Sequence, residues 1–264
     1  MIPDGPATRR WAEALAAWAI PEEILAAAPE SPWSLPIGLF AAPSEVEDTA
    51  SRRRALEALP PEGSVLDVGA GGGAASLALA PPAAAITAVD QSPAMLASLS
   101  AAAGERGVDA GTVEGTWPDV AGSVGPAAVV VCHHVVYNVA GIAPFLAALS
   151  DHARRRVVVE MTISHPMAGL NRLWRHFHRY DRPEGPTVDD FLAVVSELGI
   201  EASSERFSRP PRWQSRDRGL QVAFARRRLC LPAAADAEID RMLDPDHDLI
   251  ATQAACIWWA GRSS

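Results

Sequence analysis

The sequence predicts an α/β fold, a doubly wound and mostly parallel sheet with helices on both faces. Three observations lead there. From Ser64 onward, short apolar runs alternate with helical stretches of about ten residues, the rhythm of βαβ units. A glycine-dense turn, "DVGAGGG", follows the first of these runs, where a strand turns toward a helix and backbone can approach a ligand. Hydrophobic residues make up 48% of 264, enough for the core of one large domain.

The elements follow in order. In "ATRRWAEALAAWAI" Trp11, Leu15 and Trp18 fall at helical spacing, with Thr8 as candidate N-cap. Pro21 opens a second short helix, "PEEILAAA". Prolines make "PESPWSLPIGLFAAPSE" irregular, and a third helix over about 44–59 stops at Pro60-Pro61. "SVLDVG" is then a strand, and "GAASLALA" a helix ended by Pro81-Pro82. "AAITAVD" is a strand, followed by a helix with Ser92 as N-cap and Pro93 at its first position. "GVDAGTVEG" and "AAVVVCHHVVYNV" are strands, the second with a polar end; "APFLAALSDHA" is a helix and "RRRVVVEMT" a strand. "TVDDFLAVVSELG" is a helix with Thr187 as N-cap and Asp190 three residues on. "IEASSERFS" and "AACIWWAG" are strands; residues 216–243 read as mainly helical, although Leu220, Val222 and Phe224 also alternate as in a strand.

Formal net charge is −9, which argues against holding a long polyanion. The charge is uneven: residues 152–228 hold 15 arginines against 9 acids. Lysine is absent, so a Walker phosphate loop is excluded. Cys132, Cys230 and Cys256 are far apart and form no CxxC pair, so neither a disulfide framework nor a zinc site is expected, and a reducing, cytoplasmic setting fits. The first residues lack the pattern of a signal peptide, and no apolar run reaches the length of a membrane span.

Gly69, Gly71 and Gly73 give G-x-G-x-G, while Gly69, Gly71 and Ala74 also trace a dinucleotide pattern, so the glycines alone leave NAD open. Asp67 before them would repel a pyrophosphate, which argues against NAD. Asp90, at the end of the next strand, can accept from both hydroxyls of a ribose. "VLDVGAGGG" followed by "ITAVD" resembles the first motif and the acidic second-strand end of the class I S-adenosylmethionine (SAM)-dependent methyltransferases, over residues of about 60–165.

That resemblance implies a Rossmann-like sheet of seven strands whose last, placed at "AACIWWAG", is antiparallel. It implies SAM as cofactor, with Asp67, Gly69, Ala70, Gly71 and Gly73 toward its methionine end and Asp90 with Gln91 at the ribose. Glu114, Gly115 and Thr116 would flank the adenine, with Trp117 either covering the ring or in the core. Cys132, His133 and His134 would lie where cofactor meets substrate. The Asn-Pro-Pro-Tyr device of the branches that modify DNA and glutamine is replaced by Cys-His-His-Val. The implied organisation is an N-terminal helical cap or lid over residues 1–60 and a methyltransferase domain over 61–264, with insertions at about 165–186 and 209–250.

For the chemistry, His134 or His133 is the candidate base, with Tyr137 and Asn138 as orienters; Glu160 and His165 form a second candidate pair. Consecutive strand residues face opposite ways, so a metal held by both histidines is not expected. The expected activity is methyl transfer to an oxygen or nitrogen of a small molecule, by a monomer or homodimer. The alternatives are an RNA methyltransferase using the arginine-rich segment 172–182, a non-catalytic SAM-binding protein and, further off, an NAD-dependent oxidoreductase. Arg172, Arg175 and Arg179 share one helix face by spacing, and segment 165–186 is expected to be a lid that binds substrate rather than nucleic acid.

Overall fold

The structure, a computed structural model, describes residues 5–33, 46–209, 217–244, 248 and 253–262. Most of the proline-broken stretch and parts of the 209–250 insertion lie outside these residues; the third helix, expected from about residue 44, begins only at Ala50, where Thr49 caps it.

Seven strands form one sheet: β1 (Gly63–Val68), β2 (Ala83–Asp90), β3 (Asp109–Glu114), β4 (Ala127–His133), β5 (Ala153–Thr162), β6 (Ala202–Ser208) and β7 (Gln253–Ala260). Their order is β3-β2-β1-β4-β5-β7-β6. The first five run parallel, and β7 is antiparallel to both β5 and β6. The order reverses between β1 and β4, so a crevice opens outside their C-terminal ends. The central strands are buried on both faces, which is why Val129, Val130 and Val131, like Val157, Val158 and Val159, are continuous apolar runs.

Helices cover both faces. On one lie α1 (Pro6–Ala16), α5 (Ile142–His152) and α7 (Val188–Glu197), joined through Trp11, Phe145 and Phe191. On the other lie α3 (Ala50–Ala58) and α4 (Pro93–Arg106). α2 (Glu22–Ala27), α6 (Asn171–His178), α8 (Arg218–Arg228) and α9 (Asp236–Met242) build a third layer with its own apolar cluster around Leu173, Trp174, Phe224 and Ile239, against which Ile20 and Ile24 pack.

Three expectations about elements change. The expected cap, residues 1–60, divides: α1 and α3 pack on opposite faces of the sheet, and only the segment around Ile20 and Ile24 joins the third layer. Thr8 is not the N-cap of α1. Gly5 holds that position, and the Glu197 carboxylate accepts from the amides of Ala7 (2.6 Å) and Thr8 (2.9 Å), so the helix start is satisfied from 190 residues away. "GAASLALA" is not an α-helix but turns with one 3-10 turn, Leu77–Leu79. The stretch between Gly73 and Pro81 holds fewer than two α-turns, and its polar groups are drawn elsewhere: the Ser76 amide donates to Asp67 (3.2 Å) and the Ala78 carbonyl accepts from Arg52 (2.9 Å).

Elsewhere the local rules hold. Ser92 caps α4, Gly107 ends it in the left-handed region, and Thr187 with Asp190 forms a reciprocal capping box on α7. The region read as helical near 216–243 is α8 and α9. Among the described residues no helix is long and apolar enough to cross a membrane.

Candidate active site

A cavity of about 1300 Å³ opens at the C-terminal ends of β1, β4 and β5 and extends beneath the third layer. At one end the chain leaves β1 through Gly69 at φ +70°, and the amides of Gly69 (2.8 Å) and Ala70 (3.0 Å) both donate to the Val89 carbonyl. A side chain at Gly69 would be strained by this φ and would drive its Cβ to 2.3 Å from Val135. Gly69, Ala70 and Gly71 line the cavity; Gly73 does not, because it sits beneath the turn against Leu77 and Leu99.

Asp67 and Asp90 flank this loop and both line the cavity. Asp67 is buried. Burial raises its pKa to about 6 against the lowering effect of the Ser76 hydrogen bond, with the nearby Asp90 charge adding to the rise. Asp90 holds the loop in place: Oδ2 accepts from the Gly71 amide (2.8 Å) and Oδ1 from the Ser92 amide (2.9 Å). Gln91, Gly115, Thr116 and Trp117 line the same end. Trp117 is both wall and core, since it is 6% exposed and meets His152 edge-on. Glu114 points away, exposed and outside the cavity lining. Cys132 also falls outside the lining. It is fully buried in the sheet core, where burial pushes its thiol well above the usual range.

At the end of β4 the two histidines converge. β4 stops at His133, and His134 takes a left-handed conformation, φ +60°, with its amide donating to the Glu160 carbonyl on β5 (2.8 Å). That turn undoes strand alternation, which would have placed the two rings on opposite faces. His134 Nε2 lies 3.0 Å from Glu160 Oε1, and His133 Nδ1 lies 3.9 Å from Oε2. Arg209, just beyond β6, also donates to Glu160, approaches His134 Nε2 (2.6 Å) and pairs with Glu47 (3.0 Å). Burial opposes ionisation of Glu160, but the His134 hydrogen bond and the charges of His133, His134 and Arg209 outweigh it and hold the carboxyl well below the usual range.

Glu160 therefore partners His134, not His165. His165 stacks on Trp18 (3.7 Å between centroids) and accepts from the Met167 amide at Nδ1 (3.2 Å). Burial, with Arg182 and Arg228 nearby, lowers its pKa to about 3, so it is neutral and a poor base at neutral pH. Tyr137 is buried with its hydroxyl 2.5 Å from Thr162 Oγ1, and burial pushes the phenol well above its usual range. The helix of the arginine-rich segment ends at His178, so Arg179 is a left-handed terminal residue and not on a shared face. Arg172 pairs with Asp248 and Arg175 with Asp181; neither lines the cavity, whereas Arg182 and Arg228 do. Sequence reasoning missed Arg209, Glu47 and Arg228, because each reaches the cavity through tertiary packing and carries no local motif.

Residues 65–156 match the model of a family described as a methyltransferase domain. The chain carries a methyltransferase domain. The same fold appears in the YcgJ protein from Bacillus subtilis, at 18% identity over 81% of this chain and 99% of that one, with a TM-score of 0.54. It also appears in a protein whose structure concerns conversion of a disulfide bond into a thioacetal group during echinomycin biosynthesis, at 17% identity over 88% of each chain and a TM-score of 0.53. No curated protein matches the sequence. The matched span runs from β1 to the start of β5 and includes Asp67, the glycine loop, Asp90 and both histidines, but not Glu160 or Arg209.

Proposed function

We propose that this methyltransferase acts on an oxygen or nitrogen of a small molecule bound beneath the third layer. The carrying observation is the His134–Glu160 pair, which lies in the same cavity as the glycine loop. The residues at the loop suit SAM. Asp67 offers a carboxylate to an ammonium, Asp90 keeps lone pairs for ribose hydroxyls beyond its two amide bonds, and Gly69 to Gly71 present backbone without side-chain bulk. Trp117 gives a flat wall for the adenine beside Gly115 and Thr116.

When bound, SAM supplies a methyl group already activated on a sulfonium. The protein's task is then to align the acceptor and remove its proton. His134 Nε2 stands between Glu160 (3.0 Å), which only accepts, and Arg209 (2.6 Å), which only donates; with the Arg209 N–H given to Glu160, we assign the Nε2 proton to the same carboxylate, and Nδ1 then carries the lone pair. His134 is the general base in this reading, and Glu160 fixes its tautomer and steadies the imidazolium that forms. Arg209 positions Glu160. Tyr137 holds the β5 end through Thr162 and is a positioning residue.

A cavity partly roofed by the third layer supports a small substrate over RNA, as do the acid-paired Arg172 and Arg175. The test is transfer of label from methyl-labelled SAM to a panel of small phenols, carboxylic acids and amines, with total RNA in parallel. Label on a small acceptor is the expected result. Label on RNA alone would contradict the reading.

A further inference from the structure

Five carboxylates line the cavity, and each has a partner. Asp67 takes the Ser76 amide, Asp90 the amides of Gly71 and Ser92, Glu160 and Glu47 take Arg209, and Asp248 takes Arg172 (2.6 Å). Two guanidinium groups on the same cavity are left over. Arg182 lies between Trp18 (5.0 Å) and Trp174 (4.7 Å) and spends Nη2 on the Trp18 carbonyl (2.5 Å). Arg228 lies over the Phe224 ring (5.4 Å to its centroid). Among the described residues no carboxylate pairs with either, and the Nε of each is buried with no hydrogen-bond partner. Both side chains are partly buried and Arg182 also gives Nη1 to the Ala19 carbonyl (3.4 Å), but each keeps a buried Nε–H that a ligand on the cavity side could satisfy.

A third group completes the constellation. His165 stacks on Trp18 beside Arg182, and its Nδ1 is taken by the Met167 amide, so the remaining proton sits on Nε2 as a neutral donor. The charges of Arg182 and Arg228 both reach this imidazole and help keep it neutral. The surrounding walls are apolar, formed by Leu15, Ile20, Leu170, Trp174 and Phe224.

We infer that Arg182, Arg228 and His165 form an anion pocket beneath the third layer, and that the methyl acceptor is an organic anion: a carboxylate or phosphate monoester on an apolar, aromatic-sized body. This rests on the reading of the cavity as the methylation site. The anion would anchor the molecule by charge-assisted hydrogen bonds and leave its reactive oxygen or nitrogen to reach His134. That anchoring would make the two arginines determinants of specificity rather than catalytic residues.

The test is calorimetric titration with benzoate, phenyl phosphate and their neutral counterpart benzamide, on protein with and without saturating SAM. Benzoate, phenyl phosphate or both should bind at least tenfold more tightly than benzamide, and the stronger of the two anions names the headgroup. Arg228→Met and Arg182→Gln should each abolish that discrimination. Arg228→Met removes a partly buried charge that no described carboxylate pairs with, so its melting temperature should not fall, which keeps the test valid if Arg182→Gln fails to fold. Equal binding of all three probes by the wild type, or discrimination that survives Arg228→Met, would overturn the pocket. SAM binding in the same titrations reports separately: intact SAM binding without anion preference sinks only this inference, and absent SAM binding sinks the functional reading instead.

Discussion

Asp67 is held at a disadvantage in the folded protein. Its pKa stands at about 6, above the 3.8 of an unperturbed aspartate, so the folded state holds the proton more tightly than the unfolded chain. Its contribution to stability is favourable below pH 4 and is lost as pH rises through 6. Asp67→Asn should therefore stabilise the ligand-free protein at pH 8, by at most about 3 kcal/mol from a shift of roughly two pH units, and the gain should vanish near pH 4. Denaturant melts at the two pH values check this; an equal effect at both would contradict it. The same substitution should weaken SAM binding, and wild-type affinity should fall below pH 6 as the carboxylate takes up its proton. At the other end of the site, His134→Ala should lower turnover by about 10²–10⁴-fold with SAM affinity nearly unchanged, and Glu160→Gln should lower it through the tautomer. Full activity of His134→Ala would move the base to His133. Asp67, Asp90 and the glycines were legible because their spacing is local. Arg209 and Arg228 were not, because nothing in "ERFSRPP" or "FARRRLC" records which arginine turns inward.

The elements were legible wherever a single stretch of chain determines them, as in α4, α7 and the central strands. They misled where distant groups decide. α1 borrows its N-terminal acceptor from Glu197, so the local cap signal at Thr8 was misleading. The turn after β1 loses its helix to Pro81-Pro82 and to Asp67 and Arg52. The left-handed His134 brings two rings to one carboxylate that strand alternation would have kept apart. Glu197→Ala should lower the melting temperature by releasing the start of α1. Hydrogen bonding keeps the Glu197 pKa below its usual value, so this stabilisation is present at neutral pH and lost on acidification through that lowered pKa. An unchanged melt at pH 7 would show that packing alone holds α1. Trp11, 1% exposed, donates to the Val139 carbonyl (2.9 Å) and packs on Phe191 of α7 (5.6 Å between centroids). Trp11→Ala should cost about 3–5 kcal/mol by denaturant melt.

At the scale of the whole molecule, a sheet of ordinary two-faced construction carries a third layer that closes over its crevice. The layer draws on three separate parts of the chain: the segment after α1, the stretch after β5 and the helices between β6 and β7. This is why the sequence suggested a lid in pieces without showing that the pieces share one core. It also explains the basic middle of an acidic chain: some arginines neutralise surface acids, while Arg182, Arg209 and Arg228 face the cavity. On the proposed function, the cavity's glycine-loop end binds SAM through Asp67 and Asp90. The most direct measurement is calorimetric titration of wild type and Asp90→Ala with SAM, S-adenosylhomocysteine and NAD. One SAM or S-adenosylhomocysteine per chain is expected, with no binding of NAD and a loss of roughly ten- to hundredfold in affinity in Asp90→Ala. Tight NAD binding with no heat from SAM would contradict it.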